Sequence, residues 1–260
     1  GFWKNRTHNL ARMSLGDLMV AFFSYYAVLV YLGLTAVTLY FAALWFVSWA
    51  PLVVAAIFAM LAYPLAWYVL HRWVLHSQIL YRSPLTAAVW KRIHFDHHQD
   101  PHNLVVLFGA LYTTIPTIAL VTMPIGYWIG GPAGAATAFA CGLLSTVFYE
   151  FSHCVQHLNT TPKSSFMRRI KKLHMAHHFH DEHGNFGITN FIWDRLFGTY
   201  YAEPKLRPKS ATVFNIGYTE EMAQRYPWVA NLSKGTRGDA NPRRFRSEST
   251  APDAPSRAGR

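Results

Sequence analysis

Between Leu18 and His71 the chain has no Asp, Glu, Lys or Arg, and between Pro101 and Tyr149 it again has none. A helix that crosses a bilayer needs roughly 20 apolar residues at about 1.5 Å of rise each. Each charge-free block is therefore long enough for two crossings. Core helices of soluble proteins keep a polar face towards water; helices without one belong in lipid. Composition agrees, with 52% hydrophobic and 14% charged residues against about 25% charged in soluble domains. Breakers mark where each block turns back: Ser48 to Pro51 in the first, and Pro124, Gly126, Gly130, Gly131 and Pro132 in the second. The expected fold is all-α and integral to the membrane. It has about four transmembrane helices in two hairpins, near 22–47, 51–71, 104–124 and 133–155. Leu15 to Val47 is too long for one straight crossing, so part of it is expected in the interface.

The charges orient this arrangement. Both hairpin tips lack Lys and Arg. The N-terminus (Lys4, Arg6, Arg12), the central segment (Arg72, Arg82, Lys91, Arg92) and the C-terminal third hold all 24 basic residues, which places those segments on the cytoplasmic side. The net charge of +11 follows from that topology and from attraction to anionic headgroups. The basic residues form no isolated soluble module, so nucleic acid is not an expected partner. Cys141 and Cys154 fall in the fourth span and read as small apolar residues rather than a disulfide. Residues 1–16 are then a cytosolic N-terminal segment and 17–232 the membrane domain. Residues 233–260, rich in Arg, Pro, Ser and Gly, are expected to be a disordered basic tail.

Ten of the 14 histidines lie in four clusters. "HRWVLH" holds His71 and His76, "HFDHH" His94, His97 and His98, "HCVQH" His153 and His157, and "HMAHH" His174, His177 and His178. In a helix, residues at i, i+3 and i+4 share a face. Each triplet therefore presents three imidazoles on one stripe, and His153 and His157 form an i, i+4 pair. His71 and His76 are i, i+5, about 140° apart on an ideal helix. Either they serve different metals, or the helix ends or distorts between them. All four clusters fall on the cytoplasmic side, at or just beyond the ends of the spans. Neutral imidazole is the commonest metal ligand, and ten exceed what one ion takes, so a dinuclear metal site is expected. His180 is either a further ligand or a supporting group, and His183, in a turn, is expected to be solvated.

These four boxes, in this order, resemble those of the membrane di-iron fatty-acid hydroxylase and sterol desaturase family, with fatty-acid 2-hydroxylases the closest pattern. "GNFGITNFIWDRLFGTYY", Gly184 to Tyr201, is similar to the family's segment after the last box. The resemblance runs from about Tyr63 to Tyr201. It implies a cytosolic helical cap that holds two iron ions almost entirely by histidine, and O2-dependent oxidation of an unactivated C–H bond in a lipid acyl chain. Such a bond offers no proton to a base and no carbonyl to a nucleophile, so a redox metal is required. Carboxylates are expected around the imidazoles to fix their tautomers. Glu150, three residues before His153 and costly to charge at membrane depth, is the first candidate, with Asp96 and Asp181 behind it. Trp193, Asp194 and Gly198 are expected to shape the fold rather than perform chemistry.

No haem-binding domain, four-cysteine iron–sulfur pattern or dinucleotide-binding glycine motif is evident. Electrons are therefore expected from a separate ferredoxin- or cytochrome-type donor, for which the basic face offers a docking surface. The lack of a fused donor, and of a double-basic signal in the closing "SRAGR", points to a bacterial inner membrane rather than an endoplasmic reticulum. Alternatives stay open. Box spacing does not separate hydroxylation from desaturation or sterol-type oxidation. Zinc also suits imidazole and can occupy such a site, even as a hydrolytic centre with Glu150 as base. A metal transporter would place its site near the bilayer midplane, not at one face, and a haem protein would need facing single histidines rather than triplets.

Overall fold

Long apolar segments set the architecture. The computed structural model describes residues 8–233; residues 1–7, and the expected disordered tail from residue 234 on, lie outside the described residues. Within them the protein is helical, with one isolated bridge between Asn9 and Asn103. The order is α1 (Leu15–Phe23), α2 (Tyr26–Leu44), α3 (Trp49–Leu70), α4 (Pro84–Trp90), α5 (Asp96–Gln99), α6 (Leu111–His157), α7 (Ser165–Phe179), α8 (Ile192–Leu196), α9 (Glu220–Arg225) and α10 (Trp228–Ser233). Ser233, placed in the tail by the sequence reading, closes α10 instead.

Three stretches are long and apolar enough to cross a membrane: Tyr26–Leu44, Trp49–Leu75 and Leu104–His157, the last of 54 residues. In each, at most a third of the apolar window is buried inside the protein. Leu61, Leu120 and Trp128 are among the large side chains left facing outward. A surface of this extent is compatible with lipid and not with water.

The first apolar block begins with a separate short helix. Ser14 and Asp17 form a capping box that starts α1, and Ser24 and Tyr25 break it from α2. The second block turns within the stretch its breakers mark. Pro124 and Gly126 stay helical, and the reversal falls at Gly130 and Gly131. Gly131 has φ +59°, a backbone region that favours glycine. The chain before Leu111 is also not yet α-helical, although the sequence reading starts its third span at 104.

Small residues let the two halves of α6 lie close together. A Cβ on Gly126 would come within 2.7 Å of both Ala138 Cβ and Gly134 O. Gly126→Ala is therefore expected to destabilise by about 1–3 kcal/mol through overpacking. Gly33→Ala, where a Cβ meets nothing within 4 Å, is expected to be neutral or mildly stabilising. Thermal unfolding of both variants in detergent checks this.

The membrane-side core joins α1, α2, α3 and α6 through Phe22, Tyr31, Tyr63, Phe108 and Leu143. A second core sits beyond the ends of the long helices. There Tyr81, Trp90 and Phe95 pack on Tyr218 and Val229, so α9 and α10 hold α4 in place.

Candidate metal centre

Two departures from α-helical geometry put the first two boxes in position. His71–Leu75 and Lys91–Phe95 are π turns. In the first, His76 N–H bonds His71 O at 3.0 Å, an i, i+5 bond that widens the turn. The 140° mismatch of an ideal helix disappears, and the Nε2 atoms of His71 and His76 lie 3.2 Å apart. The two residues thus belong to one group, and a distorted helix is the reason.

All ten box histidines come together, in two groups of five. The first is His71, His76, His94, His98 and His177; the second is His97, His153, His157, His174 and His178. Within each, one nitrogen per residue lies within 4.8 Å of all the others. The groups adjoin, with the rings of His98 and His178 4.2 Å apart. Each triplet is divided between them rather than forming one wall. On a helix turning about 100° per residue, positions i and i+4 are about 40° apart and i+3 falls on the other side. So His94 and His98 part from His97, and His174 and His178 part from His177.

Nitrogen faces nitrogen throughout. His76 Nε2 is 2.7 Å from His94 Nε2. His157 Nε2 is 3.0 Å from His174 Nε2 and 3.3 Å from His153 Nε2, which is 3.1 Å from His97 Nε2. Nε2 of His98, Nε2 of His177 and both nitrogens of His178 are buried without a hydrogen-bond partner. Lone pairs at such distances repel unless a proton or a cation lies between them. One cation per group satisfies five nitrogens at once, and an all-imidazole set suits iron, zinc, copper or nickel rather than magnesium or calcium. The donor set therefore fits two transition-metal ions.

The tautomers are set by backbone carbonyls. Nδ1–H of His71 donates to Phe186 O at 2.6 Å, that of His177 to Gly184 O at 2.8 Å and that of His98 to Val213 O at 3.0 Å. A carbonyl can only accept, so each of these rings turns a free Nε2 lone pair inward. Two of the three carbonyls come from the loop Gly184–Phe186. Asp194, fully buried, braces that loop by accepting from Phe186 N, Gly187 N and Thr199 Oγ1 at 2.8, 2.9 and 2.8 Å. Asn185, at φ 55°, ties it to Tyr201 through both side-chain atoms.

The three candidate carboxylates bond elsewhere. Asp96 pairs with Lys91 at 2.7 Å and Asp181 with Arg207 at 2.8 Å. Glu150 Oε1 accepts from Gly109 N at 3.1 Å. His180 gives its Nε2 to Arg207 O, and His183 is exposed beside Asp181. The bracing by Asp194 was legible only as a fold-shaping role and that by Asn185 not at all; carbonyls bonded to the Nδ1 atoms carry no side-chain signal.

Burial keeps the imidazoles neutral, which is the ligating form. His76, His94, His97, His174, His177 and His178 are held well below their ordinary pKa, first by burial and then by neighbouring imidazoles. His98 is lowered to about 3 by burial, against the opposing pull of Val213 O. In the unfolded chain the same rings take a proton below about pH 6.5. The unfolded state then binds more protons than the folded one, so stability is full above that pH and falls as pH drops through it. Metal-stripped protein is expected to melt lower at pH 5.5 than at pH 7.5, as read by a thermal shift series.

An apolar cavity of about 260 Å³ opens on this centre. His94, His97 and His153 line it together with Trp67, Leu107 and Thr117. The fold and the site define a class: a helical membrane protein with two adjoining pockets of buried imidazole that face an apolar cavity. The model of the fatty acid hydroxylase family matches residues 56–199, more than half of the chain, and the chain belongs to that family. It is 34% identical over 140 residues to the ceramide very long chain fatty acid hydroxylase SCS7 of Saccharomyces cerevisiae, covering 51% of this chain and 34% of that protein. It is 31% identical over 159 residues to the dihydroceramide fatty acyl 2-hydroxylase FAH1 of Arabidopsis thaliana, covering 57% of this chain and 60% of that one. It thus matches a third to three fifths of these relatives' length. The solved structure of full-length scs7p, in which only the hydroxylase domain is visible, superposes with a TM-score of 0.59 at 25% identity, covering 77% of this chain and 71% of that one.

Proposed function

We propose that the protein is an integral-membrane lipid hydroxylase that inserts oxygen into a C–H bond of an acyl chain, using two iron ions, O2 and electrons from a donor outside these 260 residues. The observation that carries this reading is the pair of buried five-histidine groups, members of both of which line an apolar cavity. His71, His76, His94, His98 and His177 would hold one ion and His97, His153, His157, His174 and His178 the other. When bound, the irons supply the reduction of O2 that oxidation of an unactivated C–H bond requires. The chain's own residues do the rest. Phe186 O, Gly184 O and Val213 O hold three imidazoles with Nε2 inward. Leu70, Val74 and Ile93 line the cavity with apolar surface that accepts an alkyl chain and excludes water.

The same reading gives the membrane arrangement. The reversal at Gly130 and Gly131 makes α6 two crossings, so α2, α3 and the halves of α6 supply four spans in two hairpins. The basic segments, and with them the histidines, lie on the cytoplasmic side. Residues 17–232 form the hydroxylase domain. The named activities of SCS7 and FAH1 make an acyl chain of a ceramide-like lipid the first substrate class to test. The direct check of the cofactor is elemental analysis of protein purified without added zinc. Two equivalents of iron per chain are expected, and a metal-free or single-ion protein would contradict the assignment.

A further inference from the structure

The wall of the cavity holds one carboxylate that the metal centre does not use. Glu150 lies on α6 one helical turn before His153, is 6% exposed and lines the same cavity as His94 and His97. Its Oε1 accepts from Gly109 N. Its Oε2 is buried and has no hydrogen-bond partner. Of the other polar side chains around it, three threonines are already satisfied, while the hydroxyl of Tyr63 is likewise buried without a partner. Thr113, Thr117 and Thr146 return their hydroxyls to carbonyls of Ala110, Thr113 and Gly142, at 2.8, 2.8 and 2.9 Å. A carboxylate oxygen left unpaired at membrane depth is costly, and buried polar atoms without partners are rare. In a cavity shaped for an alkyl chain, a hydrogen-bond donor carried by that chain relieves the cost.

We propose that Glu150 is a positioning residue: its free Oε2 accepts a hydrogen bond from an amide N–H or hydroxyl of the lipid, and so fixes which carbon meets the histidines. This rests on the hydroxylase reading. Glu150 and His153 are i, i+3, neighbours about 5–6 Å apart at Cβ, so the donor and the oxidised carbon are separated by only a few bonds. Gly109 is part of the arrangement. A Cβ there would lie 2.5 Å from Thr114 Oγ1 and 3.3 Å from Glu150 Oε1, which is why the backbone can come close enough to hold the carboxylate.

Two probes test this by binding alone: an N-acyl amide lipid and the ester with the same chains. Their Kd values are measured on the full chain in nanodiscs, for the unaltered protein, Glu150→Leu and Glu150→Gln, with metal content and melting temperature as controls. The unaltered protein is expected to bind the amide about 10-fold tighter than the ester, as one hydrogen bond to a buried carboxyl oxygen provides. Glu150→Leu should bind both alike while keeping its metal. Should Glu150→Leu fail to fold, Glu150→Gln decides, and its preference is expected to fall to about 3-fold. Equal Kd values in the unaltered protein, or a folded variant that keeps the full amide preference of about 10-fold, would overturn the proposal. Turnover then separates the two ideas. Loss of the single hydroxylated position in Glu150→Gln supports the role of Glu150, and an unchanged position counts against it. Amide binding that depends on Glu150, with no oxidised lipid from any variant, leaves the positioning site standing and sinks the hydroxylase reading.

Discussion

Replacing His177 with alanine is expected to remove about one equivalent of metal per chain and nearly all lipid oxidation. His177 is the member of the last box that crosses to the first group. Its Nδ1 is fixed by Gly184 O, and its Nε2 is buried with no other partner. Loss of a residue that merely supports a ligand costs about 10–100-fold in affinity or activity, so loss of the ligand itself should exceed 100-fold. His174→Ala should release the other ion instead, since His174 belongs to the second group. Metal analysis of the two variants, with turnover alongside, checks both statements. Equal, complete loss of both ions in each would mean that the groups do not act as separate sites.

The second large effect is expected from a residue that touches no metal group. Asp194 accepts hydrogen bonds from Phe186 N and Gly187 N, in the loop whose carbonyls hold His71 and His177, and a third from Thr199 Oγ1. Asp194→Ala leaves two backbone N–H groups, Phe186 and Gly187, buried without acceptors. Each orphaned donor costs about 1–3 kcal/mol. The loop is then free to withdraw Phe186 O from His71, and metal affinity is expected to fall about 10–100-fold. Asp194→Asn keeps one acceptor oxygen and should recover part of both losses. Chelator competition and thermal unfolding read the two effects separately. A variant that melts lower yet holds metal normally would show that the loop supports the fold and not the histidines.

Much of this was legible in the sequence. Charge-free blocks announce the long apolar helices, because nothing but lipid or a large core accepts such surface. The ten histidines announce their site because few structural needs place ten imidazoles at helical spacing. Three features were not legible. The π turn between His71 and His76 follows from packing at the end of α3, and the sequence shows only the misfit it resolves. The division of each triplet between two groups follows from helix geometry, but only once the opposite walls are known. The carbonyls of Gly184, Phe186 and Val213 have no side-chain signature, so an expectation that carboxylates would set the tautomers looked to Glu150, Asp96 and Asp181. Two of these form ion pairs. Glu150, with one oxygen unpartnered, faces the cavity instead.

The proposed activity of the paired histidine groups is oxidation of a lipid with O2. It is tested most directly by lipid mass spectrometry on cells expressing the chain with a competent electron donor under isotopically heavy O2, beside the His177→Ala variant. The account predicts a lipid heavier by one heavy-oxygen atom, present only with the intact site. A lipid lighter by two hydrogens would replace hydroxylation with desaturation. An unchanged lipid profile from protein shown to carry both irons would contradict the account.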